Sequence, residues 1–143
     1  MDIGVEPFLV ASSVEAIIAQ RLVRVLCPHC KTEDTGATWV LRQRIASDLG
    51  LGSVAEAKVF RGKGCDHCAR TGYFGRTAVH EALVLSEAVK RLIAVKAPTE
   101  EIRSLALAEG MVGLLQDGWR KVVEGVTTRS EEHTSELQSP NTI

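Results

Sequence analysis

Cys27-Pro28-His29-Cys30 and Cys65-Asp66-His67-Cys68 are two hooks of identical spacing, and together they hold all four cysteines of the chain. Two thiols three residues apart grip one ion from a single tight turn. A second pair closes the tetrahedron of a structural zinc site and leaves no coordination position for water. Cys27, Cys30, Cys65 and Cys68 are therefore the expected ligands of one zinc ion, at zinc–sulfur distances of about 2.3 Å. The layout is C-x2-C-x34-C-x2-C. Its middle is longer than the usual ribbon spacing, so the segment between the hooks is expected to carry structure of its own. His29 and His67 lie inside the hooks, where four thiolates already fill the site. They read as solvated turn residues.

Two other uses of the thiols compete. A pair of disulfides suits a secreted mini-protein, but the first residues do not read as a signal peptide, and 143 residues can bury a core without staples. A redox C-x-x-C expects a thioredoxin-like βαβ context and leaves the second hook unexplained. Composition agrees with a soluble chain from a reducing compartment. Hydrophobic residues make up 45% and aromatics 4%, so the core is expected to be aliphatic. Net charge is −1, which by itself invites neither nucleic acid nor an anionic membrane. No apolar run approaches the roughly 20 residues of a spanning helix.

Outward from the hooks, helical and extended patterns alternate. Ser12-Ser13-Val14-Glu15 spells a capping box, and Val14, Ile17, Ile18, Leu22 and Val25 recur behind it at helical spacing, which predicts a helix to about Leu26. Gln20, Arg21 and Arg24 fall off that stripe. Between the hooks, Thr38 to Leu49 reads as a helix closed by Gly50, with Leu41, Ile45 and Leu49 on one face. Lys58 to Arg61 reads as a strand entering the second hook. Arg76 to Leu85 reads as another, with Thr77, Val79, Glu81 and Leu83 pointing one way. Ser86 caps a helix that stops before Pro98, Thr99 caps a second ended by Gly110, and a third covers roughly 112–124 with Leu115, Trp119, Val122 and Val123 inward. The fold class is mainly α with short β, an α+β arrangement. Residues 129–143 lose apolar periodicity. The eleven residues from Arg129 to Ser139 match the conceptual translation of a short-read sequencing adapter, and the tail is expected to pack against nothing.

Three stretches together resemble the C-terminal part of the type II secretion and type IV pilus-assembly ATPases. The first runs from Gly4-Val5-Glu6-Pro7-Phe8-Leu9 through Gln20-Arg21-Leu22-Val23-Arg24 to the first hook. The second is Gly64 and the second hook followed by Thr71-Gly72-Tyr73-Phe74-Gly75-Arg76-Thr77 and His80-Glu81. The third is Gly110-Met111, Asp117-Gly118-Trp119-Arg120-Lys121-Val122 and Gly125-Val126-Thr127-Thr128. The likeness covers Met1 to Thr128, and the V-E-P-F-L start with His80-Glu81 leans toward the secretion branch.

The resemblance implies the zinc-stapled C-terminal portion of a RecA-like ATPase domain. On that footing residues 1–26 end the RecA-like core, 27–75 form the tetracysteine subdomain, 76–128 supply a strand and C-terminal helices, and 129–143 lie outside the fold. It also implies a parent that uses ATP and magnesium and works as a homohexamer against an inner-membrane platform protein. That parent would sit in the cytoplasm, peripheral to the inner membrane, powering pseudopilin assembly. Gln20, Arg21 and Arg76 would face the rest of the core or a neighbouring subunit.

The chain departs from a whole family member because G-x-x-x-x-G-K-[ST] is absent from its sequence. Met1 then reads as an internal methionine, and no ATP hydrolysis is expected of the chain alone. The alternative is a stand-alone zinc module binding nucleic acid or a protein partner. Residues 20–76 hold ten Lys/Arg against five Asp/Glu. A four-thiolate zinc centre carries about −2 of its own, however, and aromatics for base stacking are few, so no nucleic acid is expected.

Overall fold

The computed structural model describes residues 4–129, so the expectation for the tail falls almost wholly outside the described residues. In chain order the elements are helix α1 (Pro7–Ser13), strands β1 (Ala16–Leu26) and β2 (Lys31–Glu33), and helix α2 (Trp39–Leu49). Strands β3 (Phe60–Gly62) and β4 (Tyr73–Val84) follow, then helices α3 (Glu87–Ala94), α4 (Thr99–Ala108) and α5 (Leu114–Val123). A single 3-10 turn covers Val54–Glu56. The α+β expectation holds.

The helix expected over residues 14–26 is instead a strand, and the helix lies before it. Pro7 occupies the first turn of α1, where its fixed φ suits a helix start and its missing N–H costs nothing. The Ser12 and Ser13 hydroxyls donate back to the Leu9 carbonyl, so the serines close this helix and do not cap the next. Ile17, Ile18, Val23 and Val25 are β-branched and stiff at χ1, and β4 supplies them a partner strand. Much of β1 stays open to solvent, with Ile18 at 68% and Leu22 at 64% relative exposure.

The described chain divides into two compact units, and it crosses from one to the other within β1 (after Gln20), within β4 (after Val79) and at the start of α5 (after Leu114). The first unit holds α1, α3, α4 and the adjoining strand ends. Its core is Leu85, Val89 and Ile93, against which Val10, Ala11, Val14, Leu83, Ile102 and Leu105 pack. Ser86 caps α3 as expected, accepting from the Val89 N–H at 3.2 Å. Pro98, and not Thr99, is the N-cap of α4. Glu81 accepts from Arg103 Nη1 at 3.0 Å and from the Leu114 N–H at 3.3 Å, which ties strand β4 to α4 and to the start of α5.

The second unit carries the hooks. Its core is Ile45, Ala46, Ala57, Val59, Trp119 and Val122, with Leu41, Leu49, Leu115 and Val123 packed around it. Thr38 caps α2 by accepting from the Leu41 N–H, and Gly50 ends it in the left-handed conformation at φ 65°. The stripe of Leu41, Ile45 and Leu49 thus faces this core as its spacing predicts. Trp119 donates Nε1–H to Asp48 Oδ2 at 3.1 Å, and Arg44 donates to the same oxygen at 3.1 Å. Beyond α5 the chain returns to β1. Leu26 N–H donates to the Val126 carbonyl at 2.9 Å, and the Thr127 hydroxyl donates to the Arg24 carbonyl at 2.7 Å.

Candidate metal centre

Each hook hangs from the end of a strand. Cys27 follows β1 directly, and the second hook follows β3 after Lys63 and Gly64. β2 and β3 pair antiparallel in the register Lys31↔Gly62, Thr32↔Arg61 and Glu33↔Phe60. That register sets the residue after Cys30 opposite the residue three before Cys65, so the ladder itself brings the hooks together. The Lys63 N–H donates to the Cys30 carbonyl at 3.3 Å and extends the same register.

The four sulfurs converge, all within 4.8 Å of one another. Cys27 and Cys65 stand 3.7 Å apart, Cys65 and Cys68 3.7 Å, and Cys30 and Cys68 3.9 Å. A tetrahedron with metal–sulfur bonds of about 2.3 Å has sulfur–sulfur edges of about 3.8 Å, so the donor set fits a tetrahedral metal ion. All four cysteines are free thiols. Every residue that the spacing nominated as a ligand is therefore in the cluster.

Backbone amides point at two of the sulfurs. Cys68 Sγ accepts from the N–H groups of Cys65 and Gly72, each at 3.2 Å, and Cys30 Sγ accepts from Gly64 at 3.3 Å. The titration of the two thiols diverges accordingly. Desolvation pushes the Cys30 thiol up to about 11, and contacts with the neighbouring sulfurs add to that push against the single Gly64 N–H. Desolvation acts upward on Cys68 as well. There the Cys65 and Gly72 amides, with help from the neighbouring sulfurs, outweigh it and bring the thiol down to about 6.

Two glycines let the backbone close around the site. A Cβ on Gly62 would stand 2.1 Å from the Gly72 carbonyl oxygen, and Gly72 itself has φ 82°. Gly72 touches both hooks, since its carbonyl accepts from the Cys27 N–H at 3.0 Å while its own N–H donates to Cys68 Sγ. Replacing Gly62 with Ala must displace Gly72 and disturb both hooks at once. We expect Gly62→Ala to weaken metal binding by about 10- to 100-fold, the usual range for lost outer-shell support. A competition titration against a chromogenic chelator measures this, and an unchanged affinity would contradict the assigned role of the contact.

His29 and His67 are exposed, as expected of turn residues, but they are not independent of each other. Their ring centroids lie 4.0 Å apart, and His67 also stacks on Phe74 at 4.5 Å. The Arg24 guanidinium lies 4.0 Å from the centroid of the Tyr73 ring. No spacing rule signals these stacks or the amide–sulfur bonds, because both depend on which hook faces which. Gln20, Arg21 and Arg76 are exposed and lie outside the cluster.

The family described as type II/IV secretion system protein matches residues 1–137, a span that runs past the expected boundary at 129. The chain is 37% identical over 132 residues to the type IV pilus assembly ATPase PilB of Thermus thermophilus, covering 91% of this chain and 14% of that protein. It is 38% identical over 131 residues to the type II secretion system protein E of Pseudomonas aeruginosa, covering 92% of this chain and 25% of that protein. It is 37% identical over 131 residues to the type II secretion system protein HxcR of the same organism, covering 92% and 23%. The chain thus spans a quarter or less of the length of these relatives. Pilus and secretion relatives stand at nearly equal identity, so identity alone does not divide the two branches.

Proposed function

The chain belongs to the type II/IV secretion system protein family, and from that footing we propose that it is the zinc-stapled C-terminal portion of a RecA-like ATPase that powers pseudopilin assembly and protein export. The observation that carries this reading is the convergence of four sulfurs, from two hooks 34 residues apart in sequence, at the edge lengths of a tetrahedral site. Zinc is the metal we assign. Four thiolates in a closed tetrahedron are its usual structural set. Its role here is to hold the lobe's two strands and their turns in register.

The parent would work as a homohexamer at the cytoplasmic face of the inner membrane, in contact with an inner-membrane platform protein. Family membership and the lean of the V-E-P-F-L start and His80-Glu81 toward the secretion branch support this. Among the described residues no helix is long and apolar enough to cross a membrane. The exposed Ile17, Ile18 and Leu22 on β1 are also in keeping with a strand covered by further parts of a larger protein. ATP and magnesium would be bound by the parent's phosphate loop, which this sequence lacks.

Three experiments test the reading. Elemental analysis of the purified chain should find one zinc per chain, and the chain should show no ATP turnover above a blank, because phosphoryl transfer depends on the missing loop. Turnover abolished by a substitution within 4–128 would refute the assignment. A chimera in which residues 4–128 replace the matching stretch of Pseudomonas aeruginosa protein E should restore export in a strain lacking that protein, and its Cys65→Ser version should not. Export restored equally by both would remove the metal from the mechanism.

A further inference from the structure

The four sulfurs are not equivalent. They differ in two independent respects: whether the residue is reachable from solvent, and whether a backbone amide donates to its sulfur. Cys68 is buried and its sulfur accepts two N–H bonds. Cys30 is partly exposed, but its sulfur accepts the Gly64 N–H. Cys27 is fully buried, and among the described residues no N–H donates to its sulfur. Cys65 alone is both partly exposed and without an amide donor to its sulfur among the described residues.

With a divalent ion bound, all four cysteines are thiolates, so access and hydrogen bonding decide which one reacts. An N–H bond stabilises negative charge on sulfur and lowers its tendency to attack an electrophile. We propose that Cys65 is the reactive thiolate of the centre, a modification site for soft electrophiles and peroxides, and that Cys27 is its resolving partner. This rests on the reading that the site holds zinc.

The oxidative sequence balances as follows. The Cys65 thiolate attacks one oxygen of hydrogen peroxide, the O–O bond breaks, hydroxide leaves, and Cys65 becomes a sulfenic acid. The Cys27 thiolate then attacks the Cys65 sulfur, the S–O bond breaks and a second hydroxide leaves. Two thiolates have lost two electrons to one peroxide, and a Cys27–Cys65 disulfide has formed. Cys27 lies 3.7 Å from Cys65 and needs no solvent access for this internal step. Cys68 is equally near, but its sulfur is held by two amides. The product therefore links the two hooks to each other, in place of the ring within one C-x-x-C that proximity in sequence would suggest. Only two thiolates remain for the metal, and it leaves.

The test uses the zinc-loaded full chain, with metal content measured first. Limiting N-ethylmaleimide should label Cys65 about tenfold faster than any other cysteine, the factor set by one missing hydrogen bond. Peptide mapping reads the adduct. Substoichiometric hydrogen peroxide should release zinc to a chromogenic chelator with Cys27–Cys65 as the first disulfide. Cys65→His, which keeps four ligands, should slow peroxide-driven release about tenfold, while Cys30→His should not. If Cys65→His holds no metal, the labelling order of the unsubstituted chain still decides. A first adduct on Cys30, Cys68 or Cys27, or a first disulfide between Cys65 and Cys68, would overturn the proposal. A purified chain without zinc would instead overturn the metal assignment, and it would do so before any label is added.

Discussion

Removing zinc from the loaded chain with a strong chelator will unfold the hook-bearing unit and leave α3 and α4 folded. A structural zinc site contributes about 10–16 kcal/mol in small metal-binding peptides at neutral pH. The core beside the hooks has six buried residues, two of them alanines. Such a core leaves little margin once the ion is gone, because a domain's net stability is only about 5–15 kcal/mol. Amide hydrogen exchange should show protection lost over β2, β3 and α2. It should be lost over α5 as well, since Trp119 and Val122 sit in that same core. The amides of α3 and α4 belong to the separate cluster of Leu85, Val89 and Ile93 and should keep their protection. Unchanged exchange over 27–62 after the metal is stripped would show that the ion does not hold the fold.

Trp119→Ala should be the most damaging single substitution outside the cysteines. The indole is buried, at 3% exposure, and truncating a buried Trp costs about 3–5 kcal/mol. Loss of the ring also deprives the Asp48 carboxylate of its Nε1–H donor. Asp48→Asn should cost far less, about 1 kcal/mol, because its amide oxygen can still accept from the indole. Urea denaturation followed by circular dichroism, with zinc held constant, compares the two. A Trp119→Ala loss below about 1 kcal/mol would mean that the Ile45–Val59–Val122 cluster is not the core of this unit.

The parts of the fold that were legible in the sequence are those fixed by local chemistry. Thr38 and Gly50 bound α2, Ser86 starts α3, and alternation marks β4. All three features act within a few residues of where they are read. The meeting of the four cysteines was legible for the same reason, since the spacing within each hook is local and two matched pairs with no other cysteine point to one shared cluster. β1 was not legible, because Val14, Ile17, Ile18, Leu22 and Val25 fit a helical stripe as well as they fit an extended run. What decides between them is pairing with β4, whose first residue lies 47 positions beyond the last residue of β1 (Leu26 to Tyr73). The division into two cores was hidden too. α3, α4 and α5 follow one another in sequence, yet α5 buries its apolar face with α2. The unequal treatment of the four sulfurs depends on Gly64 and Gly72 meeting the opposite or same hook through turns whose shape no spacing rule states.

The split of the aromatic residues between the two units determines what light can report. Both tryptophans and the single tyrosine, Trp39, Trp119 and Tyr73, fall in the hook-bearing unit, and the other unit has only Phe8. Intrinsic emission is therefore blind to α1, α3 and α4. A fluorescence melt will trace the loss of the Trp119 environment as one clean sigmoid and will read as complete unfolding while the Val89 cluster is still intact. Calorimetry run beside it should register heat absorbed in a transition that the fluorimeter never sees.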